Sequence, residues 1–112
     1  MQLMFIVLNK IECLENILEK LGEANVYGAT ILESKGMAHS LSEFSDLSFM
    51  MSLRMLLDPG HKDSRTIFMV IQDEQIPVVS KIVNEVTGGL DQPDTGIIFT
   101  VPVGYTEGLK TE

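Results

Sequence analysis

Four segments of the chain carry apolar residues in patterns typical of β-strands. Residues 1–8 are apolar on both faces of a pleated strand, which predicts a central, buried strand. Residues 26–34 mix apolar and polar positions and predict a second strand. Residues 65–72 contain an unbroken apolar run from Ile67 to Ile71 and predict a third, buried strand, and residues 96–103 predict the last.

Two amphipathic helices are predicted between these strands. Apolar residues recur at helical spacing after the first strand and after the third, at Ile11, Leu14, Ile17, Leu18 and Leu21 and at Ile76, Val79, Ile82, Val83 and Val86. Asn9 and Glu12 have the spacing of a capping box, and Gly22 is a natural helix end. The second helix is expected to open at Asp73 or Glu74, since Pro77 then falls in its first turn.

The order of elements predicts an α+β protein with a ferredoxin-like βαββαβ fold, as a single domain over residues 1–112. Right-handed crossovers would place both helices on one face of a four-stranded antiparallel sheet. The two sides of the first strand, Leu3/Phe5/Val7 and Met4/Ile6/Leu8, are both apolar, so the sheet face away from the helices would be apolar as well, which predicts an oligomer.

A long insert separates the two halves of the chain. Residues 37–64 far exceed the two to five residues that a hairpin needs. Ser40 and Glu43 have capping-box spacing, and an apolar run follows, so a helix over about 42–57 is predicted. Four of the seven methionines lie in this insert, and thioethers suit an adaptable contact surface. The expected partner contacts are Phe44, Leu47, Met50 and Met51, with core filling or a contact between subunits as the alternative.

Composition and charge narrow the classes of partner. The net charge is −8, and Lys and Arg are scattered singly, which argues against nucleic acid and against anionic membrane surfaces. The longest apolar run has six residues, too few for a membrane span. A single cysteine excludes an internal disulfide framework, and a cytoplasmic location is expected.

Several stretches resemble the PII signal-transduction proteins. Residues 28–36, GATILESKG, are similar to the end of strand 2 in that family, and residues 73–89 with 96–99 resemble its second helix, B-loop and last strand. The resemblance implies a non-catalytic, homotrimeric regulator of the kind used in nitrogen regulation. Its effector would bind between subunits, and the insert, in the place of the family's T-loop, would signal to a target protein. The expected effector site comprises Thr30, Gly36, Ala38, Gly88, Gly89 and Gly96.

Three departures from the family bear on the effector. No tyrosine lies between Gly36 and Ser64, so modification of a tyrosine in this loop is not available. The lysine and paired arginines that touch phosphates in the family have no counterpart, and Asp91 and Asp94 add negative charge. Losing charged hydrogen bonds at about 1.5–3 kcal/mol each disfavours ATP. An adenine nucleotide of lower charge or a small metabolite is the better prediction, held by backbone amides of Gly88 and Gly89 and by cations among Lys35, Lys62 and Arg65.

Other chemistry finds little support in the sequence. His39 and His61 flank the insert but belong to no metal-binding motif, so no metal site is predicted. Cys13 has no base or metal ligand near it in sequence, which favours a packed thiol. No nucleophile–base arrangement points to an enzyme. Two alternatives to a sensor are a structural or interaction module that has lost its ligand site, and a small ferredoxin-like enzyme.

Overall fold

The strands and helices follow the predicted βαββαβ order in the computed structural model, which describes residues 1–37 and 63–109. A short 3-10 turn precedes each helix, at Ile11–Cys13 and at Asp73–Gln75. The strands and helices are β1 (Gln2–Leu8), α1 (Leu14–Glu23), β2 (Thr30–Ser34), β3 (Ser64–Ile71), α2 (Ile76–Thr87) and β4 (Gly96–Pro102).

The four strands form one antiparallel sheet in the order β2-β3-β1-β4. The strands joined by α1 are β1 and β2, and β3 lies between them. The strands joined by α2 are β3 and β4, and β1 lies between them. Each β-α-β unit is therefore split by a strand of the other unit, and the predicted ferredoxin-like α+β fold is confirmed.

The core lies between the sheet and the two helices. Along β1, Met4, Ile6 and Leu8 are fully buried, whereas Leu3, Phe5 and Val7 on the other face stay partly exposed. This is the two-residue alternation that the pleat imposes. Further buried side chains come from the helices, from β3 and from the segment between α1 and β2. They pack with Met4, Ile6 and Leu8 into one core cluster: Ile17, Leu21, Val26, Ile67, Met69, Ile71, Val79 and Val83.

The ends of the helices differ from the sequence prediction. Asn9 and Glu12 do not form a capping box; Lys10 precedes the first 3-10 turn, and no side chain caps it. Helix α1 also continues through Gly22 to Glu23. The second helix is preceded by a capping box that the sequence did not predict, in which the side chains of Gln72 and Gln75 each bond the other residue's backbone. Pro77 lies in the first turn of α2, as predicted.

Strand β2 is shorter than predicted and lies at an edge of the sheet. It begins at Thr30, because Val26 is buried against the core before the chain joins the sheet. Four of its five residues are exposed. The predicted helix over 42–57 and the contact residues Phe44, Leu47, Met50 and Met51 lie outside the described residues. Within the described ranges no helix is long and apolar enough to cross a membrane.

Candidate functional site

The sheet has two ends, and the predicted effector residues collect mainly at one of them. We call the end from which residue 34 leaves β2 and residue 64 enters β3 the insert end, and the opposite one the far end. Gly36 and Gly96 lie at the insert end, as do Gly88 and Gly89, which follow α2. Thr30 does not: it starts β2 opposite Phe68, four residues or about 13 Å from the insert end of that strand. Ala38 lies outside the described residues.

The loop between α2 and β4, residues 88–95, uses its backbone amides within the chain. Gly88 ends α2 with φ of 91°, a left-handed conformation that favours glycine. The Gly89 amide donates to Thr87 Oγ1 at 3.3 Å, and the Leu90 amide donates to Asn84 Oδ1 at 2.8 Å. The Gly88 amide donates to the Asn84 carbonyl at 3.1 Å. The amides of Gly88 and Gly89, which the sequence offered as donors to a ligand, thus already have acceptors within the chain.

Gly96 anchors the loop to β1 by a contact that allows no side chain. Its φ is 151°, and an added Cβ would lie 2.5 Å from the carbonyl oxygen of Val7. One residue earlier, Thr95 is 1% exposed, and its carbonyl accepts hydrogen bonds from the amides of Asn9 and Lys10. The loop is thus held against the end of β1, where it borders a cavity of about 320 Å³ that includes Asn9, Gln92 and Asp94.

A cation that sequence reasoning missed lies beside this loop. The ammonium of Lys10 donates to the carbonyl of Thr87 at 2.9 Å, which neutralises the negative end of α2. Lys10 lies two residues after the end of β1, so its contact with α2 could have been found from the sequence only by assuming that α2 ends beside β1. The carboxylates of Asp91 and Asp94 are exposed in the same loop, which leaves the described part of this edge rich in negative charge.

At the insert end, the side of the sheet formed by β2 and β3 carries a compact polar cluster. We call it the insert root, and it comprises Glu33, Ser34, Ser64, Arg65 and Thr66. The Ser34 hydroxyl lies 2.7 Å from the Ser64 hydroxyl and 2.9 Å from that of Thr66. On the other face of the sheet, the Arg65 guanidinium lies 3.7 Å from the Glu33 carboxylate. Polar side-chain contacts thus join β2 to β3 on both faces of the sheet at the point where the insert leaves it.

The insert root borders a cleft of about 450 Å³, which is also lined by Lys35 and Asp63. Two of the three cations that the sequence offered for an effector therefore lie at this cleft, Lys35 and Arg65. The third, Lys62, lies outside the described residues.

One chain does not bring the two halves of the predicted site together. Gly36 follows β2 and Gly96 starts β4, and these strands form the two opposite edges of the sheet. Three strand spacings separate them, roughly 14 Å. A ligand that touches both must bridge this width or lie between two chains.

The sheet face away from the helices is apolar, and we call it the open face. Phe5 lies between two other rings, with centroid distances of 4.9 Å to Phe99 and 6.3 Å to Phe68. Ile97 is 58% exposed and Leu32 is 51% exposed. The apolar residues that the registers place on this face are Leu3, Phe5, Val7, Leu32, Phe68, Val70, Ile97, Phe99 and Val101.

Other candidate chemistry remains unsupported in the part of the chain that is described. Residues 1–37 and 63–109 contain no group of three or more His, Cys, Asp or Glu side chains placed to hold a metal ion. His39 and His61 lie outside these ranges. Cys13 is partly buried against the core, and its thiol lies 3.8 Å from the carbonyl of Val86.

Comparison with known proteins gives no family assignment. No model of a known protein family matches the chain, and no curated protein matches it significantly.

Proposed function

We propose that the protein is a PII-like homotrimeric regulator that binds a small effector between subunits and signals to a partner protein through residues 37–64. The observation that carries this proposal is the position of Gly36 and Gly96 at opposite edges of one sheet. In a trimer whose open sheet faces meet at the centre, the β2 edge of one chain would lie beside the β4 edge of the next and bring these residues together, whereas one chain keeps them roughly 14 Å apart.

The open face supports association between copies. The strands direct no charged residue to it, although the chain carries a net charge of −8. Exposed apolar patches of this extent on small proteins mark interaction surfaces. A second copy is the occupant that we propose, because the four described strands place no charge on this face that would oppose contact.

The charges at the two edges support an effector of modest negative charge. The carboxylates of Asp91 and Asp94 would repel phosphates on the β4 side, and the ammonium of Lys10 offsets only part of this repulsion. The cleft at the insert root of a neighbouring chain would add Arg65 and Lys35, together with the carboxylates of Glu33 and Asp63. A monophosphate or diphosphate of adenosine therefore fits this balance better than a triphosphate does.

A thermal-unfolding titration of the assembled protein tests the proposal. Light scattering first gives the mass, which we expect to be that of a trimer. AMP, ADP, ATP and 2-oxoglutarate are then added separately, with and without Mg²⁺. A ligand at a hundred times its Kd stabilises the folded state by about 2.7 kcal/mol, which raises the midpoint measurably. We expect larger shifts with AMP and ADP than with ATP; a monomer that none of the four ligands stabilises would contradict the proposal.

An assembly module without a ligand site is the second candidate. The observation that favours it is the internal use of the Gly89 and Leu90 amides, which leaves fewer donors for phosphate. Such a module would associate further as its concentration rises, with no response to small molecules.

A further inference from the structure

The far end of the sheet contains a cavity that the proposed function does not use. It has a volume of about 580 Å³ and lies between the segment joining α1 to β2 and the end of β3. Val26, Met69 and Ile71 are each at least 94% buried and give it an apolar floor, and Leu109 borders it from the C-terminal segment. Cavities of this volume are typical of ligand sites.

The hydrogen-bond pattern of the sheet shows which backbone groups face this cavity. The Asn9 amide donates to the Thr95 carbonyl, and the Val103 amide donates to the Met1 carbonyl. The odd-numbered residues of β1 and of its extensions therefore form their hydrogen bonds with the β4 side. Even-numbered residues of β1 therefore bond β3, and by the register their partners in β3 are odd-numbered. Val70 is even-numbered, so its N–H and C=O point away from β1, toward the β2 side.

Strand β2 stops before it reaches Val70. The last pair of the ladder joins Thr30 to Phe68, and the register continued by two residues would place Gly28 opposite Val70. Within residues 1–37 and 63–109 no hydrogen bond joins Gly28 to Val70. At Val70 the edge of β3 therefore lacks a hydrogen-bonded partner in β2. The cavity lies at this position and is lined by Gly28 and Val70. Open strand edges are templates for pairing with another chain.

We propose that this cavity binds an extended peptide segment of another protein, one residue of which pairs with Val70. That residue would donate to the Val70 carbonyl and accept from the Val70 amide, as an antiparallel partner does. Its two neighbours would point to the helix side of the sheet, since side chains alternate along a strand. There they meet the floor of Val26, Met69 and Ile71, which calls for apolar side chains.

The lining also specifies the charge of the peptide. Among residues 1–37 and 63–109, the side chains that line the cavity besides the floor and Leu109 are amides and the Tyr27 phenol, and none of them is charged. A carboxylate or ammonium buried there would lack an ionic partner, which disfavours charged peptides. The site lies at the far end of the sheet, so it does not rest on the proposed effector site.

Backbone amide spectra of the full chain test this proposal. The probe is the uncharged peptide acetyl-Leu-Ala-Leu-amide, and its matched control is the same molecule with an ester in place of the alanine N–H. We expect the probe to shift the amide signals of Val70 and Gly28 saturably, and the ester to bind about tenfold more weakly because it lacks one donor. Leu109→Asp should weaken binding of the probe about tenfold by placing a charge in the wall.

Val78→Asp is the matched control variant, because Val78 is 42% exposed on α2 and Leu109 is 40% exposed. It should leave binding of the probe unchanged. Four results would overturn the proposal: no shift at Val70, equal binding of amide and ester, equal loss in both variants, or a Val70 amide already protected from exchange without the probe. Protection that grows with protein concentration would mean that a second copy of this chain fills the site.

Discussion

The rings of Phe5 and Phe99 stack across β1 and β4, with centroids 4.9 Å apart and planes 16° from parallel. Phe99 is nevertheless 46% exposed, so the pair is only half covered by its own chain. Aromatic pairs of this kind contribute most where water is excluded from both rings.

We expect Phe99→Asp to convert the proposed trimer to monomers, because it places a charge on the open face beside the ring of Phe5. Sedimentation over a range of protein concentrations measures the effect, with circular dichroism to verify the fold. Val78→Asp, on the outer surface of α2, should leave the mass unchanged. A trimer that survives Phe99→Asp would show that the open face is not the interface.

The Gly96 contact predicts a large loss of stability from a single methyl group. In Gly96→Ala the new Cβ would lie 2.5 Å from the Val7 carbonyl oxygen, and the φ of 151° would be strained as well. We expect the free energy of unfolding in urea to fall by about 2 kcal/mol or more. Gly104→Ala is the control, since a Cβ there meets nothing within 4 Å, and its effect should stay within about 0.5 kcal/mol. Equal losses in the two variants would contradict the role of this contact.

The carboxylates of the 88–95 loop predict how nucleotide preference changes with charge. Replacing Asp91 and Asp94 together by Asn should increase the affinity for ADP more than that for AMP, because the second phosphate gains more from the loss of repulsion. Asn also tolerates the φ of 56° at position 94. Calorimetric titration at low and high salt measures both affinities, and the gain should shrink at high salt.

Glu85→Gln is the control for this pair, because Glu85 lies on α2 in an exposed ion pair with Lys81. It removes one charge where the double variant removes two, so if it changes the free energy of ADP binding by half as much or more, the effect comes from net charge alone and the loop is not the effector site.

The Lys10 contact predicts a moderate loss of stability. Lys10→Met keeps the length of the side chain but removes the ammonium from the Thr87 carbonyl, where it lies 2.9 Å away. For a partly exposed charge at a helix C-terminus we expect a loss of about 1 kcal/mol, measured by urea unfolding. Lys81→Met removes only a weak surface pair at 3.9 Å and should have a smaller effect. An equal effect of the two changes would mean that Lys10 does not cap α2.

The sequence predicts the elements of the fold well because the spacing of apolar residues along the chain reflects which positions are buried. The alternation of Met4, Ile6 and Leu8 with Leu3, Phe5 and Val7 follows from a sheet that is covered on one side only. The start of β2 was placed four residues too early because Val26 is apolar and buried without belonging to a strand. Apolar character indicates burial, and strand pairing is a separate property that a single sequence does not record.

The candidate site was less predictable than the fold. Gly88 and Gly89 indicated a loop, but their amides are used by Thr87 and Asn84, partners that depend on how α2 ends. Lys10 is 77 positions away from Thr87 in the chain, so only the packed structure brings the two together. The capping box of Gln72 and Gln75 was missed because Gln is an uncommon N-cap residue.

The pairing of Ser34 with Ser64 has an evolutionary consequence. Because these two residues are partners in one ladder, the 29 residues between them begin and end one strand spacing apart. The entropic cost of closing such a segment rises only with the logarithm of its length, so doubling the length would raise this cost by about 0.6 kcal/mol. Natural selection can therefore lengthen, shorten or exchange this segment at little cost to the domain, while the ferredoxin-like scaffold stays constant.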